Sequence, residues 1–135
     1  AAALPRLATG NETILGVEDE AALRNVARRV LMEAGYNVLV AANGKEALRL
    51  CELQAGKVDL VLTDVVMPEM SGDVLAKRLR ENARAVKILF MSGCTDDAIA
   101  RHGVLDPALH LIFKPFQPAD LTRKVREVLD SDKSG

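Results

Sequence analysis

The stretch LTDVVMPEMSG, residues 62–72, joins the end of an apolar run to an acid and a turn. The run Val58–Thr63 predicts a buried β-strand, and Asp64 follows it directly. Met67-Pro68 and Ser71-Gly72 predict a loop that turns away toward a helix. An acid at this point can be a turn former or a helix cap, and it can also be a nucleophile or a metal ligand.

Short apolar runs alternate with helical patterns along the whole chain. Besides the run before Asp64, they are Thr13–Val17, Tyr36–Ala41, Val86–Met91 and Leu109–Phe113. Most are continuously apolar, which favours strands buried on both faces of a parallel sheet.

Five amphipathic segments separate or follow these strands. The clearest has one apolar stripe that ends before Gly35, and the stripe comprises Leu23, Val26, Ala27, Val30, Leu31 and Ala34. Asn43 is the predicted N-cap of the second helix, and a short fourth helix is predicted near Asp96–His102. The third and fifth helices are marked by Leu75, Leu79, Leu121, Val125, Val128 and Leu129. The pattern predicts a doubly wound (βα)5 fold with helices on both faces of a five-stranded parallel sheet.

The length and net charge of the chain fit one globular domain and do not indicate a strongly charged partner. The chain has 135 residues and a formal net charge of −1, which gives no overall attraction to nucleic acid or anionic membranes. No apolar run reaches the roughly 20 residues that span a bilayer. Cys51 and Cys94 lack metal-ligand spacing and fit a reduced, cytoplasmic thiol pair. We expect residues 1–11 to be a linker or expression remnant, residues 12–131 the domain, and residues 132–135 a frayed tail.

Polar side chains follow four of the five predicted strands. Because ligands of such sheets bind beyond the carboxyl ends of the strands, these side chains should meet at one edge. They are Glu18 and Asp19 after the first strand, Asp64 after the third, Ser92 after the fourth and Lys114 after the fifth.

The charges of this cluster call for a cation. Two like charges about 4 Å apart repel by roughly 4 kcal/mol at an effective dielectric near 20, and three carboxylates face only one lysine. Raised pKa values or a bound cation would relieve this repulsion. Since all the donors are oxygens, Mg²⁺ is the expected ion, held by Glu18 and Asp19.

A carboxylate next to such an ion can attack phosphorus and form an aspartyl-phosphate. Asp64, at the end of a central strand, is the candidate nucleophile. Lys114 can pair with one phosphate oxygen, and the Ser92 hydroxyl can donate to another.

Four motifs, in this order and spacing, resemble the receiver (response-regulator) domain of two-component signalling: ILGVEDE, LTDVVMPEMSG, ILFMSG and IFKPF. The resemblance implies a flavodoxin-like strand order of 2-1-3-4-5. It implies that Asp64 accepts a phosphoryl group from the phosphohistidine of a histidine kinase or a histidine phosphotransfer domain. It further implies that the Val66 carbonyl joins Glu18, Asp19 and Asp64 around Mg²⁺, that Ser92 is the switch hydroxyl, and that the Lys114-Pro115 bond is cis.

The longer words around these motifs are most similar to the C-terminal receiver of a hybrid sensor histidine kinase. This implies a cytoplasmic signalling domain, at the cytoplasmic end of a membrane-bound kinase or free, that is not itself an enzyme. It would contact neither nucleic acid nor membrane directly. Its output face would be the fourth helix, fifth strand and fifth helix, which can also support a homodimer.

Some residues depart from the family pattern. Glu18 stands where the family more often has Asp, and Gly16 lies inside the first strand, where the family usually has a bulky valine. Leu111 stands where many receivers have a switch aromatic, and the Val66 side chain offers no group to position an attacking water.

Three other functions fit parts of the pattern. A flavodoxin-like cofactor binder would need a phosphate loop after the first strand, where this chain has Glu18-Asp19-Glu20. An aspartyl phosphatase would usually have a second acid at the position of Val66. A receiver-like interaction module that is never phosphorylated is the remaining alternative.

Overall fold

The computed structural model describes residues 9–54, 56–82, 86–93 and 110–131. The strands are β1 (Thr13–Val17), β2 (Asn37–Ala41), β3 (Leu60–Asp64), β4 (Lys87–Ser92) and β5 (Leu111–Phe113). The described helices are α1 (Ala21–Glu33), α2 (Gly44–Leu53), α3 (Gly72–Asn82) and α4 (Pro118–Asp130). Helix α4 is the predicted fifth helix, and the predicted helix near Asp96–His102 lies outside the described residues, as do Cys94, Leu109 and the tail.

The five strands form one parallel sheet in the order β2-β1-β3-β4-β5. The predicted fold class and strand order are therefore confirmed. Strand β3 is central and buried at every position, so its last residue, Asp64, is delivered to the carboxyl edge by a rigid element.

Four of the five predicted strands differ from the observed strands by one or two residues at one or both ends, and two of these differences have an identifiable reason. Strand β3 extends through Asp64 because Asp64 pairs with Met91 and the next amide, of Val65, donates to the Met91 carbonyl at 3.0 Å. Strand β2 begins after Tyr36 because the Tyr36 amide donates to the Leu31 carbonyl at 3.2 Å and closes helix α1 instead.

Local caps fix where the helices end and begin. Gly35 has a φ of 100° and donates its amide to the Met32 carbonyl, which with the Tyr36 bond forms a Schellman cap. The Asn43 side chain accepts from the Glu46 amide at 2.8 Å, which confirms the predicted N-cap.

The core consists of two apolar layers, one on each face of the sheet. One layer packs α1 and α4 against residues such as Ile14, Leu62 and Leu89. The other packs α2 and α3 against residues such as Leu15, Val61 and Phe90. The described helices thus cover both faces of the sheet.

Only part of the predicted apolar stripe of α1 is buried. Ala27, Val30 and Leu31 lie in the core, whereas Leu23 is 39% exposed and Val26 is 55% exposed. The spacing of the stripe was correct, but the first two turns of α1 leave these two apolar side chains accessible beside the site.

Candidate functional site

The five predicted site residues meet in one cleft at the carboxyl edge of the sheet. Glu18, Asp19, Asp64, Ser92 and Lys114 all line it. Val66 lines the same cleft. The expectation that strand ends distant in sequence converge here is therefore met by the geometry.

The three acids are close enough to share one cation. One carboxylate oxygen from each of Glu18, Asp19 and Asp64 lies within 4.8 Å of the other two. Glu18 is 3% exposed and Asp64 is 5% exposed, whereas Asp19 faces solvent. Two of the acids are thus removed from water, which makes their mutual repulsion expensive.

Lys114 lies between the two buried acids. Its Nζ atom is 2.5 Å from Glu18 Oε1 and 2.6 Å from Asp64 Oδ1. The Lys114-Pro115 peptide bond is cis, as predicted. Ser92, at the end of the neighbouring strand, is buried and accepts the Lys114 amide at its carbonyl.

The two buried acids titrate in opposite directions. Burial and the neighbouring Glu18 raise the pKa of Asp64 to about 8, although Lys114 opposes this. Burial also acts to raise the pKa of Glu18, but hydrogen bonding with Asp64 and Lys114 outweighs it and lowers that pKa to about 2. Together the two carboxyl groups hold one proton near neutral pH.

The outer charges respond to the same crowding. Hydrogen bonding to Glu18, with some burial, raises the pKa of Asp19. Burial acts to lower the pKa of Lys114, but its contacts with Asp64 and Glu18 outweigh this and raise it. The lysine is therefore charged, and the cluster carries surplus negative charge.

The loop after Asp64 is fixed by a close backbone contact. The Gly72 amide donates to the Val65 carbonyl at 2.8 Å, and a Cβ atom on Gly72 would lie 2.0 Å from the Asp64 carbonyl oxygen. Glu69, within the loop, has a φ of 68°, a left-handed conformation that is uncommon for residues with a side chain. Val66 is 49% exposed, and its apolar side chain has no group that could hold a water molecule beside Asp64.

Sequence reasoning missed Arg24. Its Nη1 atom donates to the Glu18 carbonyl oxygen at 2.8 Å, which brings a second positive charge beside the acids. Arg24 belongs to a helix that also carries Arg28 and Arg29, and nothing in the sequence distinguishes it from these exposed neighbours.

The donor set fits a hard divalent ion. It consists of carboxylate oxygens, two of them buried and both in contact with the Lys114 ammonium. Oxygen donors in this number and charge suit Mg²⁺, and they do not suit the softer transition metals.

Comparison with known proteins agrees with this geometry. Residues 14–126 match the family profile described as the response regulator receiver domain. The chain belongs to the response regulator receiver family. This receiver domain is therefore a signalling domain of two-component systems.

Two solved receivers share its fold. A chemotaxis protein CheY4 from Vibrio cholerae has a TM-score of 0.77 and 30% identity, covering 88% of this chain and 99% of that chain. The receiver domain of the hybrid histidine kinase CckA has a TM-score of 0.74 and 36% identity, covering 87% of this chain and 99% of that chain.

Among curated proteins, the sensor kinase CckA of Brucella abortus is 43% identical over 122 residues. The match covers 90% of this chain but only 13% of that kinase. The receiver therefore corresponds to a small part of that relative. In the described part of the chain, no helix has the length and apolar character needed to cross a membrane.

Proposed function

We propose that the receiver is a Mg²⁺-dependent phosphoacceptor switch in which Asp64 takes a phosphoryl group from a phosphohistidine. One observation carries the proposal: the buried Asp64 carboxylate lies within 4.8 Å of two further carboxylates and 2.6 Å from the Lys114 ammonium. This arrangement combines a nucleophile, a cation site and a charge for the transferred group at one point.

Glu18, Asp19 and Asp64, with the Val66 carbonyl, would hold the ion. When bound, Mg²⁺ supplies charge neutralisation between these carboxylates and a phosphoryl oxygen. With its pKa near 8, Asp64 retains a proton much of the time at neutral pH, so cation binding should release that proton and expose the nucleophile.

The transfer itself is an in-line displacement. An Asp64 carboxylate oxygen forms the new P–O bond, while the P–N bond of the donor breaks and its electron pair returns to the imidazole nitrogen. Lys114 exchanges a carboxylate partner for a phosphoryl oxygen, and the Ser92 hydroxyl donates to another oxygen.

The same contacts would carry the signal outward. Ser92 ends β4 and Lys114 follows the neighbouring strand β5, so drawing both toward the phosphoryl group would shift the surface formed by strand β5 and helix α4. Phe113 on edge strand β5 is 54% exposed, which offers this surface an apolar contact for a partner or a second copy.

The phosphodonor is proposed to dock beside the cleft on α1. Leu23 and Val26 are exposed there and line a groove with Pro115 and Phe116 that also reaches Lys114. A donor held on this groove would bring its phosphohistidine close to Asp64. The similarity to the Brucella sensor kinase and to a hybrid kinase receiver supports a histidine kinase or phosphotransfer domain as donor, and a cytoplasmic location where ATP charges it.

The proposal is tested with a small phosphodonor. Purified protein is incubated with acetyl phosphate, with and without Mg²⁺, and intact mass is measured. We expect one added phosphoryl group that needs Mg²⁺ and is lost in Asp64→Asn. Asp59→Asn is the matched control, because Asp59 lies just before β3, near the opposite edge of the sheet.

One further result would favour the interaction-module alternative. Failure to incorporate phosphate from acetyl phosphate and also from a cognate histidine kinase would indicate a receiver that binds partners without phosphorylation. The same samples test the assignment as a domain that is not an enzyme. We expect the receiver to gain and lose a phosphoryl group on Asp64 without acting on any other substrate.

A further inference from the structure

A helix arginine reaches back to the backbone that carries the two adjacent acids. Arg24 lies in the second turn of α1, and its Nη1 atom donates to the carbonyl oxygen of Glu18, six residues earlier, at 2.8 Å. Helix side chains lean toward the amino end of their helix, which gives Arg24 this reach. The contact is partly buried, so water competes for it only weakly.

Three hydrogen bonds fix the backbone around Glu18 and Asp19. The Glu18 amide donates to the Ala41 carbonyl at 3.1 Å, and the Glu20 amide donates to Glu18 Oε2 at 3.2 Å. Arg24 holds the peptide unit between these two contacts, at its carbonyl end. Because a peptide unit is planar, fixing the Glu18 carbonyl also fixes the direction in which the chain enters Asp19.

Asp19 has more need of such support than the other acids. Its carboxylate is exposed, whereas Glu18 and Asp64 are buried and held by Lys114. Burial therefore orients Asp19 less than it orients the other two acids, and the direction of its backbone matters more.

The charge of Arg24 also completes the balance of the occupied site. A phosphoryl group on Asp64 carries a charge of about −2. Added to Glu18 and Asp19, it is neutralised by Mg²⁺ and Lys114 only when Arg24 is counted as well.

We propose that Arg24 is a positioning residue of the phosphoacceptor site, which orients Asp19 toward Mg²⁺ through the Glu18–Asp19 peptide. This role rests on the proposed function and adds to it a residue that does not touch the ion or the phosphoryl group. Arg28, one turn further along the same helix and exposed, provides a charge-matched comparison.

The test measures Mg²⁺ affinity by NMR titration of backbone amides in Arg24→Met, Arg24→Lys and Arg28→Met. Titrations use 1 M KCl, where the Debye length is about 3 Å and long-range charge effects are screened. We expect Arg24→Met to weaken Mg²⁺ binding about 10-fold, as removal of supporting contacts around metal ligands does. Arg24→Lys should stay within about 3-fold because its ammonium can still donate to a carbonyl, and Arg28→Met should match the parent.

A double-mutant cycle separates positioning from general damage. In an Asp19→Asn background, Arg24→Met should change the Mg²⁺ dissociation constant less than about 2-fold, because the carboxylate that it orients is gone. Unchanged affinity in Arg24→Met, or an equal loss with and without Asp19, would overturn the role. Absence of Mg²⁺ binding by the parent would instead refute the proposed function, and the role with it.

Discussion

At the amino edge of the sheet, charged side chains such as Glu12 and Arg126 pair with one another, whereas at the carboxyl edge two buried acids share Lys114. At the amino edge, Arg126 of α4 lies 2.6 Å from Glu12 and 2.7 Å from Asp130. Lys87, at the start of β4, donates to the carbonyl of Leu129 at 2.6 Å. These contacts connect Glu12 and strand β4 to helix α4.

At the carboxyl edge the same types of residue are left in conflict. Glu18 and Asp64 are buried side by side, and both depend on Lys114. This surplus negative charge destabilises the site by itself, and under the proposed function a bound cation would relieve it. The contacts at the amino edge therefore stabilise the fold, whereas the crowded acids at the carboxyl edge reduce stability and, under the proposed function, serve binding.

The largest expected effect comes from Gly72→Ala at the carboxyl edge. A methyl group there would lie 2.0 Å from the Asp64 carbonyl oxygen, so the backbone must move. We expect a loss of about 3 kcal/mol in the free energy of unfolding, measured with urea, and loss of phosphorylation. Alanine alone favours the start of a helix more than glycine, so unchanged or increased stability would show that the close contact is not a constraint.

The next effect should come from Arg126→Met at the amino edge. The side chains of Arg126 and Glu12 are each about one-quarter exposed and are joined by two hydrogen bonds. The contribution of this ion pair should therefore lie between those of surface and buried pairs, and we expect its loss to lower the free energy of unfolding by about 2 kcal/mol. Lys124→Met is the control, since its partner Glu127 is 61% exposed, and it should cost less than about 0.5 kcal/mol.

The pH dependence of this effect has a definite sign. Hydrogen bonding to Arg126 holds the pKa of Glu12 below its usual value. The pair therefore contributes stability above pH 4.5, and the contribution is lost as pH falls through the folded pKa. The difference between parent and Arg126→Met should shrink on acidification, and a constant difference down to pH 2.5 would contradict the ionic origin.

The residues of the carboxyl edge could be predicted from the sequence because the end of each strand can be recognised locally. A polar residue at the end of a strand in a parallel sheet lies at the carboxyl edge, and Asp64 and Lys114 stand at the ends of two recognisable strands. Sequence reasoning could not find the amino edge, because Glu12 and Arg126 are 114 residues apart and neither belongs to a motif. Arg24 was missed for a related reason, since only the fold shows that its side chain reaches back to a carbonyl. The exposure of Val26 was missed because an apolar stripe gives the face of a helix, not how far the neighbouring elements cover it.

Asp64→Asn should remove the repulsion between the two buried acids at the carboxyl edge. Unfolded Asp64 ionises near its ordinary pKa of 3.8, whereas the folded pKa is about 8, so ionisation costs stability as pH rises between these values. In Mg²⁺-free buffer, we expect the variant to be more stable than the parent by about 1.5 kcal/mol at pH 8, with little difference at pH 4. Mg²⁺ should remove most of the gain at pH 8, and a gain that is equal at both pH values would not be electrostatic.

The smallest expected effect is a gain from Gly16→Ala, between the two edges. An added methyl group would meet the Leu39 carbonyl oxygen and Val40 Cγ1 at 3.9 Å, which is ordinary contact, so the open space admits it without strain. We expect a gain of about 0.5 kcal/mol from reduced chain entropy in the unfolded state. Gly44→Ala is the control for a crowded glycine, because its methyl group would lie 2.6 Å from the Met70 sulfur, and it should show no gain in stability. If the stability of β1 and the chemistry of the carboxyl edge are independent, Gly16→Ala should leave Mg²⁺ affinity and phosphorylation at parental values. A variant that is more stable but less readily phosphorylated would show that β1 couples stability to the site.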